Sequence, residues 1–184
     1  MEYFDVCDKN GIPTGDIVER SRAHHDGIMH RTAHVWIVRE HNGEKEVLLQ
    51  KRSADKDSFP GCYDTSSAGH VPAGMEPLES ALRELEEELG IKAEKEDLEY
   101  IDTFPISYES EFHGMIFKDE ERAFVYVYGK TIDIGQLILQ KEEVESVAWF
   151  EIKKLIAMRR RRDPSICVPP GGLKLIADYL GIIS

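Results

Sequence analysis

The sequence has no long hydrophobic run and few cysteines. No apolar stretch approaches the roughly 18 residues that a membrane-crossing helix needs. The N-terminal residues MEYFDVCDKN lack the charged-then-apolar pattern of a secretory signal. The three cysteines, Cys7, Cys62 and Cys167, are far apart and form no CxxC pair. An odd number of cysteines at such spacing predicts reduced thiols and a cytoplasmic protein without membrane partners.

The sequence also lacks an excess of basic residues. It has 23 Lys and Arg against 35 Asp and Glu, a net charge of −12. This balance argues against stable nucleic-acid binding, which needs a basic face. The negative net charge still allows an anionic small molecule to bind, provided that metal ions or a few well-placed cationic side chains supply local positive charge.

The pattern of elements predicts one mixed domain over residues 1–184. The length of 184 residues and the apolar content of 41% are ordinary for a single globular domain. Hairpin-connected strands are mixed with helices, which favours an α+β fold over a doubly wound parallel sheet. The predicted strands are 3–7, 15–19, 32–39, 46–51, 99–107, 122–129 and 145–150. The predicted helices are 77–89 and, within a C-terminal helical segment 152–184, 152–161 and 172–180.

The helix over residues 77–89 carries the most informative cluster. Spacings of three and four residues bring Glu84, Glu87 and Glu88 onto one face. Closely spaced carboxylates repel one another, and oxygen-rich clusters suit hard divalent cations such as Mg²⁺ or Mn²⁺. Arg83, one turn before Glu87, can brace a carboxylate. A solvated acidic helix face is the alternative interpretation for such a run taken alone.

Residues 69–91, GHVPAGMEPLESALRELEEELGI, resemble the Nudix box, G-x5-E-x7-R-E-U-x-E-E-x-G-U, where U is a bulky aliphatic residue. Matching positions, at the box spacing, are Gly69, Arg83, Glu84, Leu85, Glu87, Glu88, Gly90 and Ile91. The departure is the early glutamate, because Met75 holds that position and Glu76 follows one residue late. The resemblance implies an α/β/α sandwich with a mixed β-sheet, in which the box forms a strand–loop–helix unit.

The resemblance also implies a chemistry, metal-dependent hydrolysis of a diphosphate bond in a nucleoside diphosphate derivative or another small organic diphosphate. It makes Glu87 and Glu88 metal ligands and Glu84 a ligand or the general base, and it leaves open which glutamate is the base. The backbone near Ala68 or Gly69 joins the coordination of Mg²⁺ or Mn²⁺. A homodimer is left open.

A second resemblance extends beyond the box. Residues 50–71 are similar to the corresponding segment of isopentenyl-diphosphate isomerases and of the hydrolases close to them. It implies that Arg52 and Lys56 bind the diphosphate. It also implies a second set of metal-site residues: His70, the carboxylates Asp119 and Glu121, and upstream histidines near His24 or His25 and His30.

Ala68 decides between the two resemblances. The isomerases place their catalytic cysteine immediately before the glycine of Gly69-His70, and this chain has alanine there. An alanine cannot protonate an alkene, so we expect a hydrolase whose catalytic residues are Arg83, Glu84, Glu87 and Glu88. The alternatives are an isopentenyl-diphosphate isomerase and a non-catalytic diphosphate-binding regulatory module.

Overall fold

A computed structural model describes residues 1–56, 58–112 and 114–182. The strands are β1 (Tyr3–Cys7), β2 (Pro13–Glu19), β3 (His30–His41), β4 (Glu44–Arg52), β5 (Tyr63–Asp64), β6 (Ser67–His70), β7 (Leu98–Phe112), β8 (Met115–Tyr128) and β9 (Val144–Glu151). The α-helices are α1 (Arg20–Asp26), α2 (Pro77–Leu89), α3 (Ile152–Arg160) and α4 (Pro170–Tyr179). Short 3-10 turns cover Lys95–Asp97 and Ile134–Gln136.

Strand β3 is the centre of a mixed sheet. It runs parallel to β8 and antiparallel to β4 and β6, and β7 extends the sheet beyond β8. Strands β5 and β9 both pair with β4. Strands β1 and β2 form a separate hairpin. The parallel β3–β8 pair is the feature that makes the sheet mixed.

Helices cover both faces of this sheet. Because side chains alternate along a strand, Ala33, Val35 and Ile37 of β3 face one way and Trp36 faces the other. The first set packs with the apolar side of α2, including Leu85. The other side packs against α3 and α4. This three-layer arrangement confirms the predicted α/β/α sandwich with a mixed sheet.

Helix α2 has the boundaries that its sequence predicts. Pro77 occupies the first turn, where its missing N–H leaves no hydrogen bond unmade. Gly90 ends the helix with a φ of +72°, a left-handed conformation that glycine adopts at little cost. Strand β6 and the loop that joins it to α2 complete the predicted strand–loop–helix unit.

Two parts of the structure differ from the predicted elements. The strands predicted over 99–107 and 122–129 belong to a much longer ribbon, Leu98–Phe112 paired with Met115–Tyr128. The buried positions in the distal part of β8 include the carboxylates Asp119 and Glu121, so on that strand burial does not coincide with the apolar alternation that identifies a strand. Helix α1 was not predicted, because its seven residues, RSRAHHD, hold no apolar stripe.

Within the described part of the chain, no helix has the length and apolar character to span a membrane.

Candidate active site

A cleft of about 440 Å³ opens between α2, the strands β3, β6 and β8, and the loops that follow β4 and the 3-10 turn Ile134–Gln136. The residues that line it include nearly all of those singled out in the sequence. They are Glu84, Glu87, Glu88, Arg83, Arg52, Lys56, Ala68, Gly69, His70, His24, Asp119 and Glu121. A volume of this size suits a ligand as large as a substituted nucleotide.

The glutamate face of α2 forms one wall of the cleft. Arg83 joins Glu84 and Glu87 through N–O distances of 2.6 Å and 2.9 Å, and so offsets part of their mutual repulsion. Glu88 is buried and accepts a 3.2 Å hydrogen bond from the backbone N–H of Ala68. Burial raises the pKa of Glu88 to about 8 and also raises the pKa of Glu84. A dense cluster of carboxylates, two of them poorly hydrated, favours a bound cation.

Gly69 allows α2 to approach strand β6 closely. A Cβ atom at this position would overlap the carboxylate carbon and Oε1 of Glu84. The first glycine of the box therefore makes room for a box glutamate. It also leaves the backbone of β6 beside the carboxylates, which is where the predicted backbone ligand lies.

A second cluster, which we call the histidine cluster, comes from four different elements. His24 of α1, His30 of β3, His70 of β6 and Glu121 of β8 each present one donor atom, and these atoms all lie within 4.8 Å of one another. The Nε2 atoms of His30 and His70 lie 3.8 Å and 3.6 Å from Glu121 Oε1. Asp119 Oδ1 lies 3.5 Å from His24 Nε2.

The imidazoles of the histidine cluster are held in place by aromatic rings. Phe4 of β1 stacks on both His30 and His70, at centroid distances of 4.7 Å and 4.6 Å. Phe117 of β8 stacks on His24 at 4.3 Å. Strands and helix distant in sequence therefore fix three imidazoles before any ligand arrives.

The chemistry of the histidine cluster fits a divalent metal ion. Burial lowers the pKa of His30 to about 4 and lowers those of His24 and His70, so the imidazoles are neutral at pH 7. Burial also raises the pKa of Glu121 above its usual range. His30 Nε2 and Asp119 Oδ1 are buried and have no hydrogen-bond partner within the described residues. Neutral imidazoles beside carboxylates are typical ligands of divalent transition metals, Mn²⁺ among them.

The two clusters lie on opposite faces of the short strand β6. Gly69 faces α2 and Glu84, whereas His70, the next residue, faces the histidine cluster. The register supports this, because Ala33, the partner of Gly69, packs in the α2 core. The cleft curves around β6 and reaches both clusters.

Arg52 and Lys56 line the same cleft but have partners in the protein. Arg52 donates hydrogen bonds to the carbonyl and hydroxyl of Ser58, at 2.9 Å and 3.1 Å, and lies 3.2 Å from Asp64. Lys56 forms an ion pair with Glu143. Their role in binding a diphosphate stays a prediction, which requires that each cation exchange a partner when the ligand arrives.

The structure also decides a point that the sequence left open. His24 belongs to the histidine cluster, whereas His25 is at the surface, where it pairs with Asp26 at 2.7 Å. Sequence reasoning missed His34, which also lines the cleft. The available signal was the two-residue period of β3, which places His30, Thr32 and His34 on one face.

Comparison with known proteins is consistent with this geometry. The family model described as NUDIX domain matches residues 29–167. The protein named Nudix hydrolase 3 from Arabidopsis thaliana is 40% identical over 167 residues. That match covers 89% of this chain but only 21% of the Arabidopsis protein, so this chain spans about a fifth of that relative's length.

Two further proteins are similar over most of their own length. An uncharacterized Nudix hydrolase from Clostridium acetobutylicum is 34% identical over 154 residues, which cover 84% of this chain and 72% of that protein. A crystal structure of a Deinococcus radiodurans protein matches the fold with a TM-score of 0.66 at 17% identity, covering 90% of this chain and 92% of that one.

Proposed function

Because this chain belongs to the Nudix hydrolase family and is a hydrolase, we propose that it cleaves a diphosphate bond with the help of Mg²⁺ or Mn²⁺. Its substrate is a nucleoside diphosphate derivative or another small organic diphosphate. One observation carries the proposal: the glutamate face of α2 and the histidine cluster open into a single cleft around β6. A diphosphate needs cationic charge on several oxygens at once, and a cleft with two metal-binding clusters can provide it.

On the glutamate wall, the metal would be held by Glu87, Glu88 and the backbone of Gly69, with Glu84 as a further ligand or as the general base. A divalent ion held there supplies positive charge to the diphosphate and activates the attacking water. Arg83 positions the carboxylates through its contacts with Glu84 and Glu87. Glu84 reaches the substrate side of the wall because Gly69 has no side chain.

On the other wall, His70 and Glu121 would be metal ligands. The convergence of His24, His30 and Asp119 on the same point supports this assignment. Arg52 and Lys56 then bind the diphosphate from the loop that follows β4. For Lys56 this means release from Glu143, whose carboxylate competes with the substrate for the same ammonium group.

A hydrolysis screen read by chromatography of the products tests the proposed function, because cleavage of the diphosphate bridge of a nucleotide sugar or a dinucleotide yields two phosphorylated fragments and no free phosphate. Nucleoside diphosphate sugars, dinucleotides and small organic diphosphates are each incubated with the full chain and Mg²⁺, Mn²⁺ or no added metal. We expect hydrolysis of at least one class, with either ion, and no hydrolysis after chelation. Metal-independent hydrolysis, or binding without hydrolysis across all classes, would contradict the proposal and favour a regulatory binding module.

The histidine cluster also favours a second candidate, isopentenyl-diphosphate isomerisation. That reaction needs an acid that protonates an unactivated alkene. Ala68 has no ionisable atom, and the neighbouring Ser66 and Ser67 are far weaker acids than a thiol. Incubation with isopentenyl diphosphate in deuterated water separates the two reactions. We expect no deuterium in dimethylallyl diphosphate, and its appearance would establish isomerisation.

We also propose that the protein works in the cytoplasm on a small-molecule substrate. Cys7, Cys62 and Cys167 are all unpaired. Free thiols persist in a reducing compartment, whereas secreted proteins oxidise them. The net charge of −12 supports a small ligand over a nucleic acid.

A further inference from the structure

The turn that joins β6 to α2, residues 72–75, is held by the N-terminal hairpin. The backbone N–H of Ala73 donates a 2.8 Å hydrogen bond to the carbonyl of Tyr3 in β1, and Phe4 pairs with Pro72 in a short antiparallel bridge. The family model begins to match at residue 29, whereas β1 and β2 both precede it. A segment outside the matched region therefore contacts the strand–loop–helix unit.

The carboxylate of Asp5 in β1 provides two further hydrogen bonds at this turn. Its Oδ2 atom accepts from the backbone N–H of Gly74 at 2.9 Å and from Nη2 of Arg31 at 2.9 Å. The same Nη2 atom of Arg31 donates to the carbonyl of Met75 at 3.0 Å. Together the two side chains hold the turn at two successive residues, and we call this arrangement the Asp5–Arg31 clamp.

The Asp5–Arg31 clamp is shielded from water. The Arg31 side chain is 5% exposed and that of Asp5 is 16% exposed. A charge-assisted hydrogen bond with so little hydration is stronger than one at the surface. Either partner left alone would be a poorly hydrated, unpaired charge, so the clamp has one strongly preferred geometry.

The turn has no carboxylate of its own that takes the place of Asp5. Met75 stands where the box has a glutamate, and its side chain packs against the apolar core that contains Leu85. Glu76 is exposed, and its side chain makes no capping hydrogen bond at the start of α2. Strand β1 therefore supplies the carboxylate that contacts this turn.

The turn links the two elements that form the glutamate wall of the cleft. Gly69 of β6 and Glu84 of α2 lie so close together that a Cβ atom at Gly69 would overlap the Glu84 carboxylate. Glu88 of α2 accepts a hydrogen bond from the backbone N–H of Ala68. A shift of the turn would therefore change the distances between these carboxylates and the backbone of β6. Misplacement of reacting groups by about 1 Å can slow an enzyme about 100-fold.

We propose that Asp5 is a positioning residue for hydrolysis, a role that rests on the proposed function. Through Arg31 and the turn, it holds the glutamates of α2 in register with the backbone of β6. Neither Asp5 nor Arg31 is among the described residues that line the cleft. Substitution of Asp5 should therefore affect metal binding and kcat, and leave KM nearly unchanged.

Asp5→Leu and Asp5→Asn remove the same charge but differ in hydrogen bonding. Leucine has no acceptor, whereas the amide oxygen of asparagine can accept from both Gly74 and Arg31. With the best substrate of the hydrolysis screen, we expect Asp5→Leu to lower kcat at least about tenfold and to weaken calorimetric Mg²⁺ binding at least about fivefold. Its KM, and all three quantities for Asp5→Asn, should stay within about threefold of wild type.

Asp16→Leu is the matched control. Asp16 is exposed on β2 of the same hairpin, and its carboxylate lies 3.5 Å from the hydroxyl of Thr14, away from the turn. The substitution removes the same charge and adds the same side chain as Asp5→Leu. Its kcat, KM and Mg²⁺ affinity should equal those of wild type.

A double variant separates positioning from stability. Asp5→Leu leaves the Arg31 guanidinium buried without its carboxylate, so it should lower the melting temperature. Adding Arg31→Met removes the buried charge and should restore most of that loss. The Mg²⁺ affinity and kcat of the double variant should stay as low as in Asp5→Leu, because the turn is still not clamped. Their recovery together with stability would overturn the positioning role.

Calorimetric Mg²⁺ binding also separates a failure of this inference from a failure of the proposed function. If the wild type binds Mg²⁺ but hydrolyses nothing, and Asp5→Leu binds Mg²⁺ at least about fivefold more weakly, the hydrolase proposal fails and the positioning role stands. If the wild type is active and Asp5→Leu equals it in Mg²⁺ affinity and kcat, the positioning role alone fails. A wild type that binds no Mg²⁺ would overturn both.

Discussion

At the scale of single residues, a methyl group added at Gly69 should disturb the cleft and leave the stability of the fold nearly unchanged. The overlap would be with the carboxylate end of Glu84, a flexible side chain that can move aside. We therefore expect Gly69→Ala to lower turnover at least about tenfold and to leave the melting temperature within about 2 °C of wild type. Initial rates and thermal unfolding of the same preparation measure both quantities.

Gly129→Ala provides the matched control for Gly69→Ala. No atom lies within 4 Å of a Cβ placed at Gly129, and this glycine does not have a positive φ. Its turnover should equal that of wild type. If both variants were equally active, Gly69 would not be needed for the placement of Glu84.

The burial of His34 predicts that the stability of the protein depends on pH. Its pKa is about 4 in the folded protein, against an ordinary value of 6.5 without burial, so folding disfavours the protonated form. The part of the unfolding free energy that comes from keeping His34 neutral is fully present above pH 6.5. It is lost as the pH falls toward 4. A shift of this size corresponds to at most about 3 kcal/mol of unfolding free energy.

Urea unfolding at pH 7 and at pH 4.5 measures that contribution. Wild type should lose more unfolding free energy between the two pH values than His34→Gln does, by about 1–3 kcal/mol. Parallel losses in the two proteins would mean that His34 remains protonatable in the folded state.

At the scale of elements, the C-terminal end of α2 depends on Gly90. This glycine has a φ of +72°, and an added Cβ would lie 2.8 Å from the Cβ of Ile138. We expect Gly90→Ala to destabilise the protein by about 2 kcal/mol, part from the backbone conformation and part from the contact with Ile138. The midpoint of urea unfolding reports the change.

Gly43→Ala separates the two parts of that effect. Gly43 has a φ of +79° in the turn between β3 and β4, and a methyl group added there would have no atom within 4 Å. It should therefore show only the conformational penalty, about 1 kcal/mol. Equal destabilisation by the two substitutions would rule out a contribution from Ile138.

Elements with strong local signals were predictable, and those that depend on distant contacts were not. Helix α2 has an apolar stripe, a proline at its start and a glycine at its end, all visible in the sequence. Helix α1 has none of these, and its His24 is recognisable as part of a site only after β3, β6 and β8 have assembled around it. In the distal part of β8 the buried positions are the carboxylates Asp119 and Glu121, which an apolar pattern does not mark as inward-facing.

The same contrast applies to the site. The spacing within α2 is local, so the shared face of Glu84, Glu87 and Glu88 followed from helical geometry alone. The opposition of His34 and Ala68 depends on the register between β3 and β6, which the sequence does not specify.

At the scale of the whole molecule, the net charge of −12 repels an anionic substrate. Added salt screens this repulsion, because the Debye length falls from about 30 Å at 0.01 M to about 8 Å at 0.15 M. We expect kcat/KM to rise about two- to fivefold over this range at constant free Mg²⁺, with kcat nearly unchanged. A fall in kcat/KM would instead indicate that Arg52, Lys56 and the metal ions dominate the encounter.

We propose that the glutamate face of α2 binds the metal required for hydrolysis, and a substitution of Glu87 tests this role. The Glu87 side chain is 51% exposed, so Glu87→Gln should fold normally. Glu86→Gln is the matched control, since Glu86 is exposed on the same helix and contacts Lys92. The measurement is calorimetric Mg²⁺ binding together with the rate of hydrolysis of the best substrate of the screen. We predict at least tenfold weaker Mg²⁺ binding and at least tenfold slower turnover for Glu87→Gln, with Glu86→Gln equal to wild type. Unchanged metal affinity and turnover in Glu87→Gln would contradict the claim.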